Sequence, residues 1–574
     1  MSIHWFGSSC RDDSYQFGAL AVVAPLLEQM NVATIIDRHL PADPQAEFAC
    51  GPLLTLLLAA RLAQPVALVN VADWAQRSGA SVLWDIPPEK LNDDRLGRAL
   101  DNFYYQRHSI LASIALEAAQ TFDIPLDRLH YDPTHVVLHG DYASSRPRTD
   151  PALDLRRPFA DDPPAHITFG YGDHNTKLVH AGVCAAVDEL GAVPLFGHVT
   201  DGNHNGHTAI AEQLELLREH LPPQRRLLIS DRGTFSAGHL ARCTRQGFTA
   251  VCSAPWTDYR ALYEAHAHEL HWQQASYLSL EQQRRRTCAS TLPLEHYELA
   301  VLRHQLANPD SNGAIACRVI FVYSTADAKV AASTRAKAIA KITAGLEHLA
   351  RSVQQGRRQT TPEAVARRVT KLFGRRGVAQ HFHWELQPLT VEEQAALSPP
   401  TRGCRRPTHR LVYHLDEAAA AADATYDGLS VLVTTAPRTV SGDELFSQFK
   451  QQNELELAHH QWKTPLAVHP VFLKNPRRVE ALVFVLLIAL MAYHLLQRRY
   501  RQRLDDDATT QEKRTTTETI LRAFQGHALR IEQRSYGRVV HTMKLTARQR
   551  QILQRLGFPT PTQLLSARLP HAPP

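Results

Sequence analysis

The sequence predicts an α/β protein: a mixed sheet flanked by helices, with a helical N-terminal domain before it and an α+β insertion ahead of the last core helices. Three observations carry this. Residues 18 to about 122 keep apolar residues three and four apart, the spacing of one helix face. From about 126 short apolar runs bounded by Gly, Pro and Asp alternate with amphipathic stretches. Far downstream, Ala481–Leu496 is an unbroken apolar run between arginine pairs.

GALAVVAPLLEQM, CGPLLTLLLAARLA and LGRALDNFYYQRHSILASIALEAAQTF are the helical runs of a domain over 1–122, punctuated by Pro41, Pro65 and Pro87–Pro88. The first part of the core spans 125–254. RLHYDPTHVVLHG, AHITFGYG and AVPLFGHVT read as three successive strands, and HTAIAEQLELLREHL as a helix. RRLLISDRG reads as a strand ending in a polar turn, FSAGHLARCTRQG as a helix and FTAVCSA as a strand. The order β-β-β-α-β-α-β gives hairpin-linked strands followed by crossovers, hence a mixed sheet covered by helices. That is the strand order of an RNase H-like core.

Residues 255–435 break the pattern and read as a separate insertion: strands at HYELAVLRH and AIACRVIFVYS, a long Ala- and Arg-rich helix, then strands at HFHWELQPLT, HRLVYHLD and LSVLVTT. The core resumes over 436–505. Ser441 and Glu444 form a capping-box pattern ahead of a helix that runs through FKQQNELELAHHQWK until Pro465 stops it. Asn475 and Pro476 open the next helix as N-cap and first-turn proline. Its apolar run of about 16 residues is short of the roughly 20 a bilayer needs, so burial in a core is expected and no membrane partner. The tail, 506–574, holds short helical runs and a Pro-rich end.

The net charge of +6 is mild, so charge distribution says more than the total. Arg351–Arg376 carries eight Arg or Lys against one acid, Glu363, and RGCRR (402–406) and QRRYRQR (497–503) are also basic. Several such patches in one chain favour a polyanionic partner. The eight cysteines are scattered and form no CxxC pair, so neither a zinc ribbon nor a disulfide framework is indicated, and isolated thiols suit a reducing compartment. The start MSIHWFGSSCRDDSYQ lacks a basic-then-apolar signal, so a cytoplasmic, nucleoid-associated protein is expected.

Two aspartates stand out. Asp132 lies in an apolar strand beside Pro133, a residue that implies an edge or a bulge there. Asp231 sits at the carboxyl end of LLIS, where α/β sheets gather their ligands, and turns at Gly233. LLISD alone also resembles a nucleotide-triphosphatase strand, but no GxxxxGK[ST] occurs. A third acid comes from FKQQNELELAHHQWK: at about 100° per residue, Phe449, Gln452, Glu456 and Lys463 fall on one helix face, whereas Glu454 lies nearly opposite. Three carboxylates suit Mg²⁺ or Mn²⁺, and two such ions activate an attacking oxygen and stabilise the leaving oxygen of a phosphodiester.

With these residues in place, the chain over about 125–500 resembles a DDE insertion-sequence transposase of the group marked by a Y-x2-R-x3-E-x6-K signature. The match rests on Asp132-x-Thr134, Asp231-Arg232-Gly233 and Phe449-x2-Gln452-x3-Glu456-x6-Lys463. The resemblance implies that Asp132, Asp231 and Glu456 are catalytic and bind metal, with two ions expected. It implies that Phe449, Lys450, Gln452 and Lys463 contact DNA, that the 1–122 domain binds element ends, and that a homodimer acts on paired ends. Phe449 replaces the signature Tyr and Gln452 the Arg, losing a hydroxyl and a bidentate fork. Two alternatives stay open: a degenerate DNA-binding protein that no longer cuts, and a hydrolytic nuclease on the same core.

Overall fold

The computed structural model of the protein describes residues 12–41, 44–147, 163–170, 176–204, 206–279, 295–356, 361–374, 376–397, 406–468, 471, 473–534 and 537–568. Cys10, Cys288, Cys404, most of RGCRR and part of the basic 351–376 segment lie outside them.

The fold is α/β, built on one mixed ten-stranded sheet. Its centre is β1 (Arg128–Leu138), β2 (Lys177–Asp188), β3 (Gly191–Thr200), β4 (Arg226–Ser230) and β5 (Phe248–Ala254), in the spatial order β3-β2-β1-β4-β5. β2 runs antiparallel to β1 and β3, while β1, β4 and β5 are parallel. Helix α1 (Gly206–His220) crosses from β3 to β4, and α2 (Ala237–Arg245) from β4 to β5. The β2–β3 turn closes at Gly191, whose φ of +115° suits glycine, with the Asp188 side chain accepting from Leu190 N at 2.9 Å.

The second strand differs from the expected one. Among the described residues of AHITFGYG only Thr168–Phe169 is a strand, and the strand proper is KLVHAGVCAAVD, 177–188. It is buried from Leu178 through Val187 except at His180, so it lacks the alternation that marks a half-exposed strand.

Residues 255–435 do not stand apart from the core. β6 (Tyr297–Ala307), β7 (Ala314–Ser324) and β8 (Leu429–Thr434) extend the sheet, β8 pairing with β5, β7 with β8 and β6 with β7, all antiparallel. Only the middle of the segment builds a core of its own. Helices Thr325–Gln354 and Pro362–Phe373 pack with the hairpin Phe382–Pro388/His409–Leu415 around Ile342, Leu346, Val365 and Leu411.

The last core helices are α3 (Gly442–Lys450), α4 (Gln452–Lys463) and α5 (Pro476–Gln502). Ser441 caps α3 by accepting from Glu444 N at 3.0 Å, and Asn475 caps α5 by accepting from Arg477 N at 2.9 Å. By length and composition α5 is able to cross a membrane, as are two bent pairs of N-terminal helices, but its whole apolar window is buried inside the protein. It lies between β3 and the N-terminal helices Cys50–Ala63 and Asp93–Tyr104. Glu480 of α5 accepts from Arg107 Nε and Ala165 N, each at 2.7 Å, and Arg498 pairs with Asp188 at 2.7 Å. The tail also returns to the start of the chain: Leu529–Arg534 pairs with both Asp12–Tyr15 and Gly537–Thr542.

Candidate active site

The register of β1 and β4 brings the two aspartates together. Tyr131 pairs with Ser230 in the parallel ladder, and each is followed by an aspartate. Asp132 and Asp231 therefore sit side by side on neighbouring strands about 5 Å apart. β4 ends there, so β1 continues with one side unpaired, which accommodates Pro133 without losing a ladder bond. Across β1, Pro133 faces Gly182 of β2; a Cβ at Gly182 would stand 2.4 Å from the His198 ring and 2.6 Å from the Tyr131 hydroxyl.

Both aspartates line one cavity of about 390 Å³, with His180, Thr200, His204 and Thr234 among its walls. The Asp231 carboxylate has no hydrogen-bond or ion-pair partner among the described residues, while Thr234 Oγ1 and N close the following turn on the Asp231 carbonyl. His180 Nε2 donates to the Gly202 carbonyl at 3.0 Å, and burial lowers the pKa of this imidazole.

Helix α4 packs across β1 and β3. Its inner residues are Leu455, Ala458 and Trp462, which join the main core. Gln452, 7% exposed, accepts from His130 Nδ1 at 2.9 Å and donates to the Tyr131 carbonyl at 3.1 Å. Burial lowers the His130 pKa to about 4, the Gln452 bond opposing it, so its imidazole is neutral. Further along the helix, His459 Nδ1 lies 3.3 Å from Asp132 Oδ2, and Lys463 feels Asp132: burial lowers its ammonium pKa and the carboxylate opposes that.

The helix face expected from 449 to 463 is broken. α3 ends at Lys450, Gln451 forms the turn, and α4 begins at Gln452. The break lets α3 dock on β5 and β6 while α4 docks on β1 and β3. Phe449 consequently packs on the core cluster around Leu445 and Phe446, and Lys450 stacks over Tyr297 at 4.6 Å. Phe449 and Lys450 are thus placed in packing contacts and Gln452 in a buried one, so the structure does not gather the four expected DNA-contacting residues on one surface. Lys463 alone of the four reaches the aspartates.

Glu456 is exposed on α4, between Gln452 and His459, and does not line the cavity. Glu454 is placed toward Arg501 of α5, whose pKa is lowered by burial and raised by that carboxylate, at the far end of β3. Among the described residues, no group of three or more His, Cys, Asp or Glu is set to hold a metal ion. The donors that converge are Asp132 and Asp231, with His459 as an addition that sequence reasoning passed over. Its signal was the spacing from Gln452, seven residues and two turns.

Residues 13–116 are similar to a family described as a domain of unknown function, DUF4277. The match covers the helical N-terminal domain and stops before the cavity. A comparison with characterised proteins finds no match.

Proposed function

We propose that this protein is a DDE-type transposase with an RNase H-like core, which cuts and joins DNA at the ends of its own element. The observation that carries the proposal is the pair Asp132–Asp231, side by side where the parallel pairing of β1 and β4 ends and facing one cavity. The central strand order β3-β2-β1-β4-β5, with β2 antiparallel, is the second support.

The donor chemistry fits a hard divalent ion, Mg²⁺ or Mn²⁺: two adjacent carboxylates, one of them with no other partner among the described residues. When bound, such ions activate a water or 3′-hydroxyl and stabilise the leaving oxygen of a phosphodiester. The chain's own residues do the rest. His459 holds the Asp132 carboxylate in place, and Lys463 adds positive charge for a phosphate beside it. Glu456 as the third acid rests on the family resemblance alone, since its side chain is exposed on α4 and outside the cavity. Action as a homodimer on paired ends rests on the family resemblance.

A second reading, specific DNA binding without cutting, draws on the position of Glu456 outside the cavity. Incubation of the protein with the DNA that flanks its gene, with and without Mg²⁺ or Mn²⁺, separates the two. Metal-dependent nicks at fixed positions support the transposase; binding with no nick supports the alternative.

A further inference from the structure

We infer that Gln452 is a positioning residue that sets the register of α4 on β1, and not a contact to DNA. The inference rests on the reading of Asp132 as an active-site acid.

The orientation of the Gln452 amide is forced. The Tyr131 carbonyl only accepts, so Nε2 faces it at 3.1 Å, which turns Oε1 toward His130 Nδ1 at 2.9 Å. Oε1 in turn only accepts, so His130 carries its proton on Nδ1. A side chain 7% exposed with both ends of its amide engaged offers nothing to a phosphate.

The contact is one of three rungs. Arg128, His130 and Asp132 alternate along one face of β1 and meet Gln451, Gln452 and His459 respectively, at 3.4, 2.9 and 3.3 Å. Gln452 is the buried rung with two hydrogen bonds. A slip of α4 by one turn there moves His459 and Glu456 by about 5.4 Å relative to Asp132. An arginine at 452 has its charge buried beside His130 and Arg128, so this site is built for a neutral amide.

The test uses the full chain with Gln452→Met, which keeps the volume and removes both hydrogen bonds, and Gln452→Arg. Three quantities are measured: hydrogen exchange of 452–463, the salt dependence of binding to a random-sequence duplex, and the Mn²⁺ concentration giving half-maximal cutting. For Gln452→Met, exchange in α4 speeds up, the salt slope stays unchanged, and half-maximal cutting needs about tenfold more Mn²⁺, as when a residue that orients metal ligands is removed. Gln452→Arg leaves the salt slope no steeper. A slope steeper by about one unit in Gln452→Arg makes position 452 a phosphate-facing one and overturns the inference. Faster exchange with an unchanged Mn²⁺ requirement also overturns it, since Gln452 is then structural only. If the wild type does not cut at all, the proposed function fails, and exchange and salt slope still decide whether Gln452 clamps α4 or touches DNA.

Discussion

Glu480→Gln removes one charge from the seam between the N-terminal helices and the sheet. Arg107 and Glu480 are 3% and 2% exposed, and their side chains meet at 2.7 Å. Glu480 is the fifth residue of α5. The variant leaves the Arg107 guanidinium buried, with the Tyr104 carbonyl at 2.9 Å and the Tyr104 and Phe484 rings at 4.1 and 5.7 Å among its contacts. Breaking a buried pair from one side costs about 3–5 kcal/mol, which is roughly 10²- to 10⁴-fold in a local opening equilibrium. Replacing both residues with apolar ones, Arg107→Met with Glu480→Leu, restores only part of this. Ala165 N, which donates to Glu480 at 2.7 Å, is then orphaned at a cost of about 1–3 kcal/mol. A chain of 574 residues lies well beyond the size that unfolds in one step, so the assay is native-state hydrogen exchange. Protection in the first half of α5 and in Asp93–Tyr104 falls by about 10²-fold or more in Glu480→Gln and recovers in part in the double variant. A fall of under about fivefold in the single variant means that the Arg107–Glu480 pair does not hold this seam closed.

Three further outcomes follow from the fold. Deleting 506–574 removes the strand that pairs with Asp12–Tyr15, so limited proteolysis cuts the N-terminal domain faster than in the full chain. Burial holds the pKa of His494 at about 4, below its unfolded value of 6.5, so the unfolded chain binds the extra proton. Stability from this residue is therefore complete above pH 6.5 and declines as pH falls from 6.5 to 4, by about 3 kcal/mol. Native-state protection of the α5 amides, corrected for the intrinsic pH dependence of exchange, shows a shallower pH dependence in His494→Gln, and an unchanged dependence contradicts the assignment. In the 351–376 segment, Arg367, Arg368 and Lys371 are exposed, and replacing all three with Ala lowers the salt slope of duplex binding by about one unit for each phosphate that these side chains neutralise. An unchanged slope makes that face a solvated one.

Much of the core was legible in the sequence because local chemistry and tertiary demand agree there. LLISD is an apolar strand whose acid falls where the ladder ends, and Asn475-Pro476 is a helix start in both sequence and structure. β2 was missed because Gly, Ala and Cys in a strand buried on both faces give neither alternation nor bulk. The continuous 449–463 helix failed for a different reason. Nothing in KQQNE breaks a helix locally; the turn at Gln451 comes from two docking sites on the sheet that one straight helix does not serve together. Gln452 read as a weakened DNA grip because periodicity reports a shared face without saying what covers it. The insertion looked separate because its strands lie more than forty residues along the chain from β5, and pairing at that distance leaves no sequence period.

The most direct measurement is strand cleavage of duplex DNA carrying the sequences that flank the gene, in Mg²⁺ and in Mn²⁺, by wild type, Asp132→Asn and Asp231→Asn. The wild type is expected to cut in a metal-dependent way and neither variant to cut, with the same DNA affinity and salt slope for all three, because each substitution removes an ion ligand and no phosphate contact. Cutting by the Asn variants at the wild-type rate contradicts the account, as does a wild type that binds these ends specifically and cuts in neither metal.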